Sequence, residues 1–146
     1  MCGIAGIIHR GKKANVGSEM TSMLMALKHR GPDSTGFAVY GPPNADDYVM
    51  RIKVAEQEDM DTGHGIKDRI AERIVELEKR LEFHKAEIKV RDDATPYALR
   101  YVISHDGDME DMARHIEEID SVEILSLGNG LELIKDLGDA NVVADA

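Results

Sequence analysis

Between His64 and Lys85 the residues Ile66, Ile70, Ile74, Leu77, Leu81 and His84 recur three and four positions apart among charged side chains. A helix turns once in about 3.6 residues, so this spacing gathers them on one face of an amphipathic helix of about six turns. Such a helix depends on packing for most of its stability, so its apolar face needs a partner surface. The following residues supply one. Ala86 to Arg91 and Tyr97 to Ser104 read as strands, Asp108 to Ile119 as a helix with Met109, Met112, Ile116 and Ile119 on one side, and Ser121 to Leu127 as another strand. The order α-β-β-α-β is much of a ferredoxin-like α/β sandwich. Trp is absent, aromatic residues are 4% and Met numbers 8, so the core must be aliphatic with Met as filler.

The flanks are less regular. Met1 to Ile8 is small or apolar, with β-branched Ile4, Ile7 and Ile8, and is expected to form a buried strand. Ser18 is the expected N-cap of a helix carrying Met20, Met23, Leu24 and Leu27 on one side, ended by Gly31-Pro32. Thr35 to Tyr40 and Tyr48 to Val54 read as two strands of a hairpin across Gly41-Pro42-Pro43-Asn44. Gly128-Asn129-Gly130 reads as a turn from strand into a short helix, Leu131 to Leu137, stopped by Gly138, with a fraying tail to Ala146.

A chain of 146 residues has room for one ordinary domain. Its net charge of −10 argues against nucleic acid or an anionic membrane surface as partner. No apolar run approaches the roughly 20 residues that span a bilayer. One cysteine makes no internal disulfide and no signal-like segment opens the chain, so the expected location is the cytoplasm. His9, His29, His64, His84, His105 and His115 show no two-histidine helical spacing, and neither a metal nor another cofactor is expected. The acidic run from Asp106 to Asp111 lacks the frame of a calcium loop and reads as a turn and helix N-terminus.

Cys2 carries the chemistry. A methionine before a small side chain is a good aminopeptidase substrate, and its removal would place a thiol and a free α-amine on one residue. The amine, with an ordinary pKa near 8, can take the proton of the thiol, so nucleophile and base come as a unit.

Met1-Cys2-Gly3-Ile4-Ala5-Gly6-Ile7 resembles the N-terminus of class II glutamine amidotransferases, members of the N-terminal-nucleophile hydrolases. Leu27-Lys28-His29-Arg30-Gly31-Pro32-Asp33-Ser34-Thr35-Gly36 resembles the second block of that family. The match is most similar to the amidotransferase domain of archaeal-type glutamate synthases, whose ending is also similar to Leu125 through Gly138. The resemblance implies a two-sheet αββα sandwich, with glutamine as substrate, Cys2 attacking its side-chain amide, and ammonia delivered to a synthase or other amidotransferase subunit. Arg30 would help shape the glutamine pocket, Gly31 would allow close backbone approach, and Asp33 would hold the turn; as plain sequence, the same stretch is a polar helix end.

On this reading residues 1–60 are the front of the amidotransferase core, 61–127 an α-β-β-α-β insert, and 128–146 a return towards the core. Two family segments are not found: an H-T-R-x-A-T type segment whose arginine holds the substrate carboxylate, and an H-N-G-x-I-x-N type segment whose Asn and Gly stabilise the oxyanion. Asn129-Gly130 lacks the flanking His and Asn of the latter. The chain is therefore expected to be incomplete alone. The competing expectation is a non-catalytic scaffold, or an interaction and ligand-sensing module, derived from an amidotransferase.

Overall fold

A computed structural model describes residues 3–11, 14–30, 34–43, 46–56, 59, 65–93, 95, 97–137 and 139–144. In chain order the elements are α1 (Val16–Ala26), a 3-10 turn (Lys28–Arg30), β1 (Ser34–Tyr40), β2 (Tyr48–Lys53), α2 (Ile66–Phe83), β3 (Glu87–Asp92), β4 (Ala98–Ser104), α3 (Met109–Glu117), β5 (Glu123–Gly128), β6 (Leu131–Leu137) and α4 (Ala140–Val143). This is the mixed α/β class expected from the sequence. Two compact units divide it: residues 38–133, and residues 1–37 together with 134–146.

The 38–133 unit is a complete βαββαβ arrangement. Its antiparallel sheet has the order β3-β4-β2-β5, so the first and third of its strands lie side by side at the centre, as in a ferredoxin-like fold. Met50 faces Tyr101 and Leu127 across the two ladders, and Ile52 faces Leu99 and Ile124. These residues form one core with Leu77 and Leu81 of α2 and Met112 and Ile116 of α3, the side chains that helical spacing had gathered on single faces. Asp108 caps α3, accepting from Glu110 N at 2.9 Å and Asp111 N at 3.0 Å, and those bonds hold its carboxyl below the usual aspartate range.

Four local expectations are overturned. β1 and β2 are not a hairpin: β1 pairs with β6 in a separate two-stranded sheet, and β2 lies between β4 and β5. Met50 and Ile52 are fully buried, and only a central strand gives them neighbours on both sides. Residues 131–137 form a strand, not a helix, so Gly128-Asn129-Gly130 joins two strands. The apolar spacing of Leu131, Ile134 and Leu137 suits a helix, but a segment this short can follow either periodicity. Residues 3–8 are not in a strand, and Ile4 and Ile8 are 92% and 88% exposed rather than buried. Finally, α1 starts at Val16, because Asn15, not Ser18, is its N-cap and accepts from Ser18 N at 3.1 Å.

The sheet face away from the helix core holds an ion network. Arg51 and Arg100 are directly opposed on β2 and β4, and Glu132 bridges them. Arg51 Nε donates to Glu132 Oε2 at 2.9 Å, while Arg100 donates from Nε to Oε2 at 3.0 Å and from an Nη to Oε1 at 3.2 Å. Opposed arginines would repel each other, so the shared carboxylate lets both strands keep this register. Burial would raise the Glu132 carboxyl, but the bonds from Arg100 and Arg51 outweigh it and hold it below its ordinary value.

Two predictions follow from this packing. Leu81→Ala, which empties a fully buried site, is expected to cost about 2–5 kcal/mol in urea unfolding, whereas Ile8→Ser is expected to change stability by less than about 0.5 kcal/mol. The Glu132 pairing, with its folded pKa lowered, stabilises fully above the ordinary value of 4.5 and is lost as pH falls through the folded value. Glu132→Gln should therefore be less stable than the native chain at pH 7, with the gap shrinking below about pH 4.5. A gap in urea midpoints that stays constant over that window would contradict the assignment.

Candidate active site

Of the four site residues expected from sequence, Cys2, Gly31 and Asp33 lie outside the described residues. Arg30 is described, and local structure explains its position. After α1 the chain tightens: Leu27 N donates to Leu24 O at 3.0 Å and Arg30 N to Leu27 O at 2.8 Å, so Lys28, His29 and Arg30 form a 3-10 turn at the carbonyl end of the helix. Three basic side chains there complement the negative end of the helix dipole. Arg30 is exposed.

The N-terminal segment meets this turn. A Cβ built on Gly3 would lie 3.1 Å from Leu27 Cβ, 3.4 Å from Leu27 Cδ1 and 3.6 Å from Arg30 Cβ. A side chain here would be tighter than ordinary contact and would push Leu27 aside by a few tenths of an ångström, so glycine is the residue that lets the backbone come this close without a shift. The residue that follows Cys2 is therefore seated on the segment that ends in Arg30, so the two motifs, more than 20 residues apart in sequence, meet in space at Gly3.

Two further residues of the second motif have structural reasons that the sequence did not disclose. Lys28 Nζ donates to Asp139 Oδ2 at 2.7 Å, and Asp139 is the N-cap of α4, accepting from Asn141 N at 3.1 Å. The pair ties the turn to residues 111 positions later, beyond the reach of local pattern reading. Gly36 lies on β1 where a Cβ would sit 3.1 Å from the carbonyl oxygen of Ile134, so a side chain there would crowd the β1–β6 pair. Asn129-Gly130 is elsewhere: a Cβ on Gly130 would meet Gly41 O and Pro43 Cγ, both at 3.6 Å, which marks a close backbone crossing within the 38–133 unit. Among the described residues, no three His, Cys, Asp or Glu side chains stand close enough together to hold a metal ion, and no helix is long and apolar enough to cross a membrane.

The mixed α/β fold, with an N-terminal segment seated on a basic helix end, sets the architectural class. Comparison with known proteins bears on the family. No family model matches the chain. Over 148 aligned residues, 99% of this chain, it is 35% identical to a "Putative glutamine amidotransferase" of Methanothermobacter thermautotrophicus, covering 46% of that protein. Over 64 residues, 44% of this chain, it is 38% identical to a "Putative asparagine synthetase [glutamine-hydrolyzing] 2" of Methanocaldococcus jannaschii, covering 12% of that protein. The chain thus spans less than half the length of either curated relative. Both support a glutamine amidotransferase family.

The seat of Gly3 gives a direct test. Gly3→Val should lift the N-terminal segment off Leu27 and speed amide hydrogen exchange over Leu24 to Arg30, with protection in β2 and β4 unchanged. Unchanged exchange over the turn would contradict this packing.

Proposed function

We propose that this chain is the front part of a class II glutamine amidotransferase, an N-terminal-nucleophile hydrolase that releases ammonia from glutamine for a synthase partner. The observation that carries the reading is the close approach of Gly3 to Leu27 and Arg30, because Cys2 precedes Gly3 directly. With Met1 removed, the α-amine of Cys2 takes the thiol proton and the thiolate attacks the side-chain carbonyl of glutamine. The C–N bond breaks, the proton leaves with ammonia, and the acyl group stays on sulfur as a thioester. Water then cleaves the thioester and releases glutamate. Arg30 borders the glutamine pocket, Gly31 lets backbone approach the substrate, and Asp33 holds the turn.

The remaining pocket groups, an arginine for the substrate carboxylate and donors for the oxyanion, come in this proposal from a further segment or a second chain. Burial supports it. In the unit of residues 1–37 and 134–146, only Asp136, Ala140 and Val143 are buried among the described residues, whereas Ile4 and Ile8 stand in solvent. The likeness of Leu125 through Gly138 to archaeal-type glutamate synthases makes a glutamate-forming synthase the partner we favour. A scaffold or ligand-sensing role is the second reading, and it rests on residues 38–133 carrying a hydrophobic core of their own.

A diazo-ketone analogue of glutamine separates the two. With the complementing chain present, the processed protein should gain one adduct at Cys2, Cys2→Ala none, and Arg30→Gln should react about 10- to 100-fold more slowly, the loss of a charge-assisted contact. A processed protein that stays unlabelled with its partners present would sink the catalytic reading and favour the scaffold.

A further inference from the structure

The segment that follows Cys2 is fastened to α1 at two points. Gly3 lies against Leu27 and Arg30, where an added Cβ would come within 3.1 Å of Leu27 Cβ. Farther along, His9 Nε2 donates to Glu19 Oε2 at 2.6 Å, since an ionised carboxylate only accepts. Glu19 stands in the first turn of α1, so residues 3 to 9 run back along the helix from its end towards its start. From Glu19 to Leu27 the helix rises about 12 Å, whereas the six residues from Gly3 to His9 can reach about 20 Å. Contact at Gly3 alone would leave this slack segment free to swing about a glycine, the most permissive of pivots. The His9–Glu19 pair removes that freedom.

The turn beneath Gly3 is held in the same way. Lys28 Nζ donates to Asp139 Oδ2 at 2.7 Å, while Asp139 Oδ1 accepts from Asn141 N and so caps α4. That helix packs against α1 and buries Ala140 and Val143, each 1% exposed. Lys28 therefore ties the turn to a fixed body, and Arg30, two residues on, stays exposed. The side chains of Glu19 and Lys28 are 46% and 52% exposed, and ion pairs this open to water add little to stability. What they fix is position.

We propose that His9, Glu19, Lys28 and Asp139 are positioning residues of the glutaminase reaction: their two ion pairs hold the segment that opens with Cys2 against the turn that ends in Arg30. This rests on Cys2 being the nucleophile proposed for the chain. None of the four touches the substrate; each acts through Cys2 or Arg30. Attack on an amide carbonyl needs sulfur and carbon about 3–3.5 Å apart and aligned, and an error of about 1 Å can cost about 100-fold in rate. Loss of the His9–Glu19 pair lets Cys2 pivot about Gly3, which slows bond formation in the bound complex. Loss of the Lys28–Asp139 pair moves Arg30, which weakens binding. The two pairs thus act on different constants.

The diazo-ketone analogue, which alkylates sulfur with loss of dinitrogen, separates those constants when its labelling of Cys2 is followed over a range of concentrations, with the processed protein and its complementing chain. His9→Ala and Glu19→Gln should lower the maximal labelling rate about three- to tenfold and leave the half-saturating concentration unchanged. Lys28→Met and Asp139→Asn, the second of which keeps the α4 cap, should raise the half-saturating concentration by a similar factor. Urea midpoints should match the native chain throughout. Exchange of the partners, His9→Glu with Glu19→His, should restore most of the rate, and Lys28→Arg should stay near native. Variants that label at the native rate and half-saturation would overturn the positioning role while the labelled native protein upholds Cys2 as nucleophile. Slower labelling that tracks a lowered urea midpoint, or that the exchanged pair does not restore, would overturn it as well. A native protein that takes no label would overturn both.

Discussion

A four-stranded antiparallel sheet hides only as much apolar surface as the elements laid on it, and in residues 38–133 those elements are two helices on one face. Met50, Ile52, Leu99, Tyr101 and Ile103 meet Leu77, Leu81, Met112 and Ile116 there, and each of these side chains is at most 4% exposed. Burial of this kind is the main favourable term of folding, at about 25 cal/mol per Å². It requires β2 to lie at the centre, with partners on both edges, and so draws it away from β1. The opposite face then receives Arg51 and Arg100 side by side, a pairing made tolerable by Glu132. One-sided burial thus sets strand order, register and the position of the ion network together.

Much of this unit was legible, because its helices are long and periodic. Ile66 to Leu81 and Met109 to Ile116 declared their faces through spacing alone, and β3, β4 and β5 stand within one or two residues of their expected positions. What failed was inference from adjacency. Two strands eight residues apart read as a hairpin, yet each found its partners far along the chain: β1 pairs with β6, and β2 with β4 and β5. The seven residues of β6 lay between two glycines with a spacing that suited a helix, and only pairing with β1 decides for a strand. The Lys28–Asp139 and Arg51–Glu132–Arg100 contacts left no local signal, since each joins residues distant in sequence.

The candidate site was legible as motif rather than as geometry. Cys-Gly at the front and His-Arg-Gly-Pro-Asp later on pointed to one chemistry, and the structure adds that Gly3 and the turn ending at Arg30 are in contact. Among its described residues the unit that holds both motifs buries little, and residues 3–8 leave two isoleucines in water. A sequence pattern cannot reveal this. Alternating apolar residues state what a segment can bury, not whether a covering layer exists. In the proposed enzyme that layer also carries the groups that complete the glutamine pocket.

The proposed chemistry exists only if thiol and amine share one residue, which requires that Met1 be removed so that Cys2 leads the chain. Intact mass of the protein purified from its native host measures this directly. A mass lower by one methionine residue is the result expected. A retained Met1 would contradict the mechanism outright, because the α-amine of Cys2 would be locked in a peptide bond and could accept no proton from the thiol.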